Sequence, residues 1–171
     1  MKLIFIASAI YLLLTSCSSQ LKMVKLYGYK QAVLPGKHSV YETDEMGKQL
    51  AQRSRARLNY FIYLSHPDGV DITPMGMWIN GIPFGLRAEK VNSPVEMNDD
   101  NPFTTVKTLL VPKTTDNVWL LTPIEQIAGK PKLQKQTLAK TNQLVVVYEL
   151  NGKLHYHTLK EMDPLPTAVM Q

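Results

Sequence analysis

The sequence predicts a mainly β domain, an antiparallel β-sandwich or barrel-like fold of about eight strands with little helix. Short runs of β-branched and aromatic residues recur along the 171-residue chain, and turn residues separate them at intervals of about 8–12 residues. Two Asn-Gly pairs, Asn80-Gly81 and Asn151-Gly152, lie between such runs. Asn-Gly is the strongest short-range hairpin signal, because both positions of its turn need a positive φ.

The predicted strands cover residues 22–29, 58–64, 75–79, 82–86, 103–111, 117–121, 144–150 and 153–159. Pro112 and Pro123 are expected to end the strands before them, because proline has no backbone N–H to donate. Residues 44–57 form a short helix or a solvated loop. Residues 129–143 form a basic loop with room for one helical turn. We expect the indoles of Trp78 and Trp119 inside a single core.

The chain begins with the features of an export signal. Lys2 precedes twelve uncharged residues, 3–14, which as a helix would rise about 18 Å and fall short of the roughly 30 Å of a bilayer core. A secretory leader, not a membrane span, is therefore expected.

The next residues, Leu14-Thr15-Ser16-Cys17, resemble the lipobox of bacterial lipoproteins, and Cys17 is the only cysteine of the chain. The resemblance covers residues 1–17 alone. It implies cleavage before Cys17 and acylation of that residue, and two or three acyl chains make a stable anchor. The residues directly after Cys17, Ser18-Ser19-Gln20, include no acidic side chain, so the resemblance favours the periplasmic face of an outer membrane. A secreted protein with a free or buried thiol is the alternative.

These features divide the chain into four parts. They are a signal peptide (1–16), a lipid-anchored tether (17–21), one β-rich domain (22–163) and a C-terminal tail (164–171). The formal net charge is +5. The sequence contains no P-loop, GxGxxG, GxSxG, HExxH or CxxC motif, so nothing points to the classes of enzyme that depend on them.

His155 and His157 are the weak candidates for a metal site. They are two residues apart on a predicted strand, so both imidazoles share a face, and the hairpin places them opposite Tyr148 and Val146. Zn²⁺ or Cu²⁺ would need a further ligand, which these neighbours do not offer. Two partly exposed histidines are the alternative, and we predict no metal and no cofactor.

Three other patterns have an ordinary structural explanation. Met75 and Met77 could bind Cu(I) but fit a core. The oxygen-rich residues 96–101 could bind Ca²⁺ but lack the EF-hand pattern. His66 with Asp68 or Asp71 could assist a serine in hydrolysis, yet the residues His66-Pro67-Asp68-Gly69 form a turn.

Two groups of cations are candidates for binding a partner. Arg53, Arg55 and Arg57 alternate along the chain and would form one cationic edge if extended. The second group consists of Lys130, Lys132, Lys135 and Lys140. Such residues either protect an edge strand from aggregation or contact anionic headgroups or an acidic partner. No nucleic-acid recognition module is present.

Taken together, these patterns predict a lipid-anchored envelope protein that acts as a non-catalytic binding or accessory subunit. Its expected partners are the membrane, through the anchor, and another envelope protein, and its small-molecule ligand is open. The alternatives are a periplasmic lipoprotein that binds a ligand or metal through His155 and His157, and a hydrolase with an unrecognised site.

Overall fold

The computed structural model describes residues 23–34, 42–43, 49–50, 57–98, 107–126 and 136–169. Twelve strands and one short helix form its regular structure. In chain order they are β1 (Lys25–Leu34), β2 (Glu42–Thr43), β3 (Gln49–Leu50), β4 (Arg57–His66), β5 (Ile72–Ile79), β6 (Ile82–Val91), β7 (Val95–Asn98), β8 (Lys107–Val111), β9 (Asn117–Gln126), α1 (Gln136–Thr141), β10 (Leu144–Leu150), β11 (Lys153–Leu159) and β12 (Asp163–Val169).

Eight of the strands form one curled sheet in the order β11-β10-β5-β6-β9-β4-β1-β12. Its pairs are antiparallel except that β12 runs parallel to β1. The sheet curls until β1 lies against β11. The prediction of a mainly β, barrel-like fold with little helix is confirmed.

The concave side of the curled sheet holds the larger of two cores. Alternate residues of each strand point to one face, and the concave set comprises Val24, Leu26, Ile62, Leu64, Ile72, Met77, Ile79, Leu121, Leu144, Val146, Tyr148, Leu150 and Met162. Their burial provides the main apolar stabilisation of the fold.

A second, smaller core lies on the convex side, where the β7–β8 hairpin covers β1, β4 and β9. Tyr63, Val118 and Leu165 of the main sheet pack there against Leu110 and Val111 of β8. The Tyr29 hydroxyl donates a hydrogen bond of 2.6 Å to the Leu110 carbonyl oxygen, which ties the hairpin to the sheet. The fold therefore has two cores instead of the single core expected.

Both Asn-Gly hairpins form as predicted. Asn80 and Asn151 have φ values of 51° and 53°, and the glycines after them have φ values of 79° and 71°. In the β10–β11 hairpin His155 pairs with Tyr148 and His157 pairs with Val146, which confirms the predicted register.

Several predictions about individual elements need correction. Trp119 packs against the concave core, but Trp78 is only half-buried and alternates with the core residues Met77 and Ile79, so its indole lies on the other face. Pro123 does not end β9, which continues to Gln126. Proline is tolerated there because the hydrogen-bonded pairing of β9 with β4 stops at Leu121. β4 therefore needs no backbone N–H from residue 123.

The C-terminal boundary also differs from the prediction. Residues 164–169 belong to β12 and not to a tail, because β12 pairs with β1 from Asp163 onward. Pro164 and Pro166 fit this position, since β12 is the last strand of the sheet and one side of it needs no donors. In the 129–143 region α1 supplies the expected helical turn. Most of the helix candidate at 44–57 lies outside the described residues, and 49–50 is strand β3.

Gly28 of β1 allows the sheet to close on itself. A Cβ built on Gly28 would lie 2.8 Å from Leu159 Cδ1, 3.0 Å from Leu144 Cδ2 and 3.2 Å from Met162 Cγ. Leu144 and Met162 are fully buried and have little room to retreat. Glycine therefore allows the closest approach at the contact between β1 and the β10–β11 hairpin.

This contact gives a stability prediction. Gly28→Ala should lower the free energy of unfolding by about 1–3 kcal/mol, because the added methyl group overpacks a core of native density. The measurement is urea unfolding followed by circular dichroism. Gly76→Ala is the matched control, since the nearest atom to its Cβ would be the Phe84 carbonyl oxygen at 3.6 Å. Equal unfolding midpoints for the two variants would show that the contact between β1 and the β10–β11 hairpin at Gly28, which we call the seam, is loosely packed.

Candidate functional site

Polar side chains line a cavity at each end of the barrel. We call the end of the barrel at which β1 starts the entry end. There Lys25 of β1 pairs with Ser65 of β4, and Ser65 pairs with Val118 of β9. The opposite end, which carries the Asn80-Gly81 turn and the start of β4, is the far end. Polar side chains collect at both ends, since the apolar cores occupy the strands between them.

A cavity of about 320 Å³ opens at the entry end. Its chemistry comes from the end of β4, the turn before β5, the end of β6 and the start of β9. The polar and aromatic residues that line it are His66, Asp68, Asp71, Lys90, Asn117 and Trp119. We call it the entry cavity.

His66 and Trp119 form the rigid part of the entry cavity. The Trp119 Nε1–H donates to His66 Nε2 at 2.9 Å, and His66 is only 4% exposed. An indole N–H can only donate, so Nε2 is the acceptor and the proton of the neutral ring is on Nδ1. Nδ1 lies 3.0 Å from the Pro67 carbonyl oxygen, to which it donates. Both ring nitrogens are thus engaged, and the indole is held in one orientation.

Charged groups of both signs surround this pair. The Asn117 side-chain amide donates to Asp68 Oδ1 at 3.1 Å, which positions that carboxylate. Lys90 lies directly across the ladder from Trp119 on the same face. Neither Asp71 nor Lys90 is part of an ion pair within the described ranges. A carboxylate and an ammonium therefore remain available to a ligand in one cavity.

Ser65, the neighbour of His66 in the chain, is not placed to act as the nucleophile of the hypothetical hydrolase. Successive strand residues point to opposite faces, and the Ser65 hydroxyl donates to Asp116 Oδ2 at 3.1 Å on the convex side. The ring nitrogens of His66 contact an indole and a carbonyl oxygen instead of a hydroxyl group.

His155 and His157 do share a face of β11, as predicted. The His155 ring stacks on Tyr148 with centroids 5.8 Å apart. Burial lowers the pKa of His157, because desolvation disfavours the imidazolium. Throughout the parts of the chain that the structure describes, no three His, Cys, Asp or Glu side chains are placed to hold a metal ion.

The structure describes both methionines, Met75 and Met77, and part of the oxygen-rich stretch at 96–101. Met77 is fully buried in the concave core whereas Met75 is 55% exposed, so the two do not converge on one site. The Glu96 carboxylate pairs with Lys107 at 3.1 Å. Residues 99–101 of the oxygen-rich stretch lie outside the described residues.

Two of the predicted partner-binding cations lie at the far end. Arg57 is the exposed first residue of β4, and Lys140 is exposed in the last turn of α1. Lys140 and Lys160 line a second cavity of about 450 Å³ beside the Asn80-Gly81 turn. The remaining candidates, Arg53, Arg55, Lys130, Lys132, Lys135 and the lipidation candidate Cys17, lie outside the described residues.

Sequence reasoning missed Lys90, Asn117 and Trp119 as partners of His66. The Asn80-Gly81 turn predicts that β6 pairs with β5, but no local signal predicts that β6 also pairs with β9. That second pairing brings Lys90 to Trp119. The alternation of Trp119 with Leu121 was the one available sign that the indole faces the concave side.

Comparisons with known proteins assign no relative to this chain. No protein-family model, no curated protein and no solved structure matches it. In the described part of the chain no helix has the length and apolar character needed to cross a membrane.

The hydrogen bond between Trp119 and His66 is testable by deletion. Trp119→Phe should lower the free energy of unfolding by about 1–3 kcal/mol beyond the loss of packing, because the buried His66 Nε2 loses its donor. Trp78→Phe is the control, since the Trp78 indole N–H has no hydrogen-bond partner among the residues described. Equal losses in the two variants, measured by chemical denaturation, would contradict a structural role for this bond.

Proposed function

We propose that the protein is a lipid-anchored lipoprotein of the outer membrane and acts as a non-catalytic binding or accessory subunit of the cell envelope. The observation that carries this proposal is the position of Cys17, the only cysteine, directly after the apolar leader and in a lipobox-like sequence. The β-rich domain that follows supplies a rigid, barrel-like body with a cavity at each end.

In this proposal the anchor places the entry end of the barrel next to the membrane. Six residues lead from Cys17 to Met23, and such a segment spans at most about 20 Å. β1 starts at the entry end, so that end is held near the bilayer. β1 has ten residues, which places its far end about 30 Å away from its start.

This orientation favours a protein partner for the far-end cations over lipid headgroups. Arg57, Lys140 and Lys160 lie at the far end, which in the proposed orientation is beyond the reach of the tether and faces away from the membrane. Surface cations mainly steer encounter with an acidic partner and set its specificity. We assign the far end to an acidic surface of another envelope protein.

Anchoring is tested by Cys17→Ser. The variant should lose incorporation of a labelled fatty acid and its membrane fractionation, because the acylated thiol is gone, whereas Ser19→Ala should keep both. Metabolic labelling followed by fractionation measures this. If Cys17→Ser remains in the membrane fraction and wild type carries no acyl label, the proposal fails.

Crosslinking of the same membranes with an amine-reactive reagent tests whether the far end binds an acidic envelope protein. The wild type should give an adduct with an acidic envelope protein that weakens as salt is raised, because screening shortens the Debye length from about 10 Å at 0.1 M to about 3 Å at 1 M. Arg57→Glu combined with Lys140→Glu should remove the adduct, and Lys153→Glu at the entry end should retain it. If the double variant formed the adduct as well as the wild type does, this assignment of the far end would be contradicted.

A further inference from the structure

We propose that the entry cavity binds a zwitterionic group of the phosphoethanolamine type, with its ammonium against Asp68 and Asp71 and its phosphate against Lys90. The inference rests on the proposed function, since the membrane beneath the anchor would supply this group as a lipid headgroup. It adds a ligand class and a second, non-covalent contact with the bilayer.

The distribution of charge selects a ligand that carries both signs. Asp68, Asp71 and Lys90 line the cavity and are exposed to solvent, so two acidic residues and one basic residue surround it. A simple anion would be attracted to Lys90 but repelled by the carboxylates, and a simple cation would meet the reverse. Because Lys90 and Asp71 form no ion pair with each other or with another described residue, a zwitterion can satisfy both at once.

Part of the cavity wall is held in place before any ligand arrives. Trp119 is oriented by its hydrogen bond to His66, and the Asp68 carboxylate is held by the amide of Asn117. Lys90 and Trp119 belong to paired strands of the main sheet. A preorganised site loses less conformational entropy on binding than a mobile one does.

Size and position agree with a headgroup as the occupant. The cavity of about 320 Å³ is at the small end of the range of roughly 300–1,000 Å³ for ligand pockets, so it suits a compact polar group and not an acyl chain. The entry end lies within the tether's reach of about 20 Å from the lipidated residue. A free amino acid shares the zwitterionic chemistry, so the test must separate the two sources.

The first measurement is calorimetric titration of the purified full-length protein, with or without acyl chains, in phosphate-free detergent with soluble phosphoethanolamine. Binding should be at least about tenfold tighter than that of inorganic phosphate or ethanolamine alone, because each of these lacks one charge-assisted contact. Phosphocholine should also bind more weakly, since its quaternary ammonium has no N–H to donate to a carboxylate. Glycine represents the amino-acid source and should bind more weakly than phosphoethanolamine.

Variants locate the site. Lys90→Gln and Asp71→Asn should each weaken phosphoethanolamine binding about tenfold or more, whereas Lys153→Gln and Glu149→Gln, which change exposed charges outside the cavity, should bind as wild type does. Circular dichroism of each variant checks that the fold is intact. Unchanged affinity in folded Lys90→Gln would overturn the proposal, as would equal affinity for inorganic phosphate and phosphoethanolamine.

A vesicle experiment identifies the source. The acylated protein in vesicles of phosphatidylethanolamine and phosphatidylglycerol should bind added phosphoethanolamine more weakly than in vesicles where phosphatidylcholine replaces phosphatidylethanolamine, because the headgroup already occupies the cavity. Equal binding in both, or preference for glycine, would overturn the assignment to lipid. The detergent titration needs no anchor, so a failure of acylation and a failure of this site give separate results.

Discussion

The close approach of β1 to β11 at Gly28 is the constraint on which the rest of the structure depends. A Cβ there would press on the side chains of Leu144, Leu159 and Met162, which would have to shift to make room for it. From the next residue, Tyr29, β1 pairs with β12. β11 and β12 are the two edge strands of the curled sheet. The short chain between them therefore joins its two edges and helps to enclose the concave core.

Closure at this seam has consequences for both faces of the sheet. The concave face becomes a buried apolar interior, while the convex face of β1, β4 and β9 still needs a cover, which the β7–β8 hairpin provides. Polar side chains are then confined to strand ends and turns. His66, Lys90 and Asn117 meet at the entry end because three strands end or begin there in register. The candidate site is thus a product of strand lengths and pairing as much as of residue type.

Features encoded by local sequence could be predicted, and features that depend on distant pairing could not. The Asn151-Gly152 turn determines the register of its hairpin, so the partners of His155 and His157 followed from counting residues. The lipobox-like sequence at Cys17 is also a local signal, and the lipid anchor that it suggests stays a prediction. β12 was missed because Pro164 and Pro166 argue against a strand unless one knows that it lies at the edge of the sheet.

The candidate site shows the same division. His66, Asp68 and Asp71 are close in sequence and could be considered together, but Lys90 and Trp119 join them only through the pairing of β6 with β9. Because that pairing connects strands about thirty residues apart in the chain, its register depends on the whole sheet and not on a turn. The convex core was unexpected for the same reason, since residues of β8 cover strands that are distant from them in sequence.

The orientation of the barrel on its anchor is the central claim, and energy transfer to the membrane surface measures it directly. In the proposed lipoprotein the acyl chains would block Cys17, so a cysteine introduced by Lys153→Cys at the entry end or Lys140→Cys at the far end could be labelled alone with a donor dye. With acceptor lipids in the vesicle, transfer should be clearly more efficient from residue 153 than from residue 140, because the ends of β1 are about 30 Å apart. Equal transfer from both positions, or more efficient transfer from residue 140, would contradict an entry end that faces the bilayer.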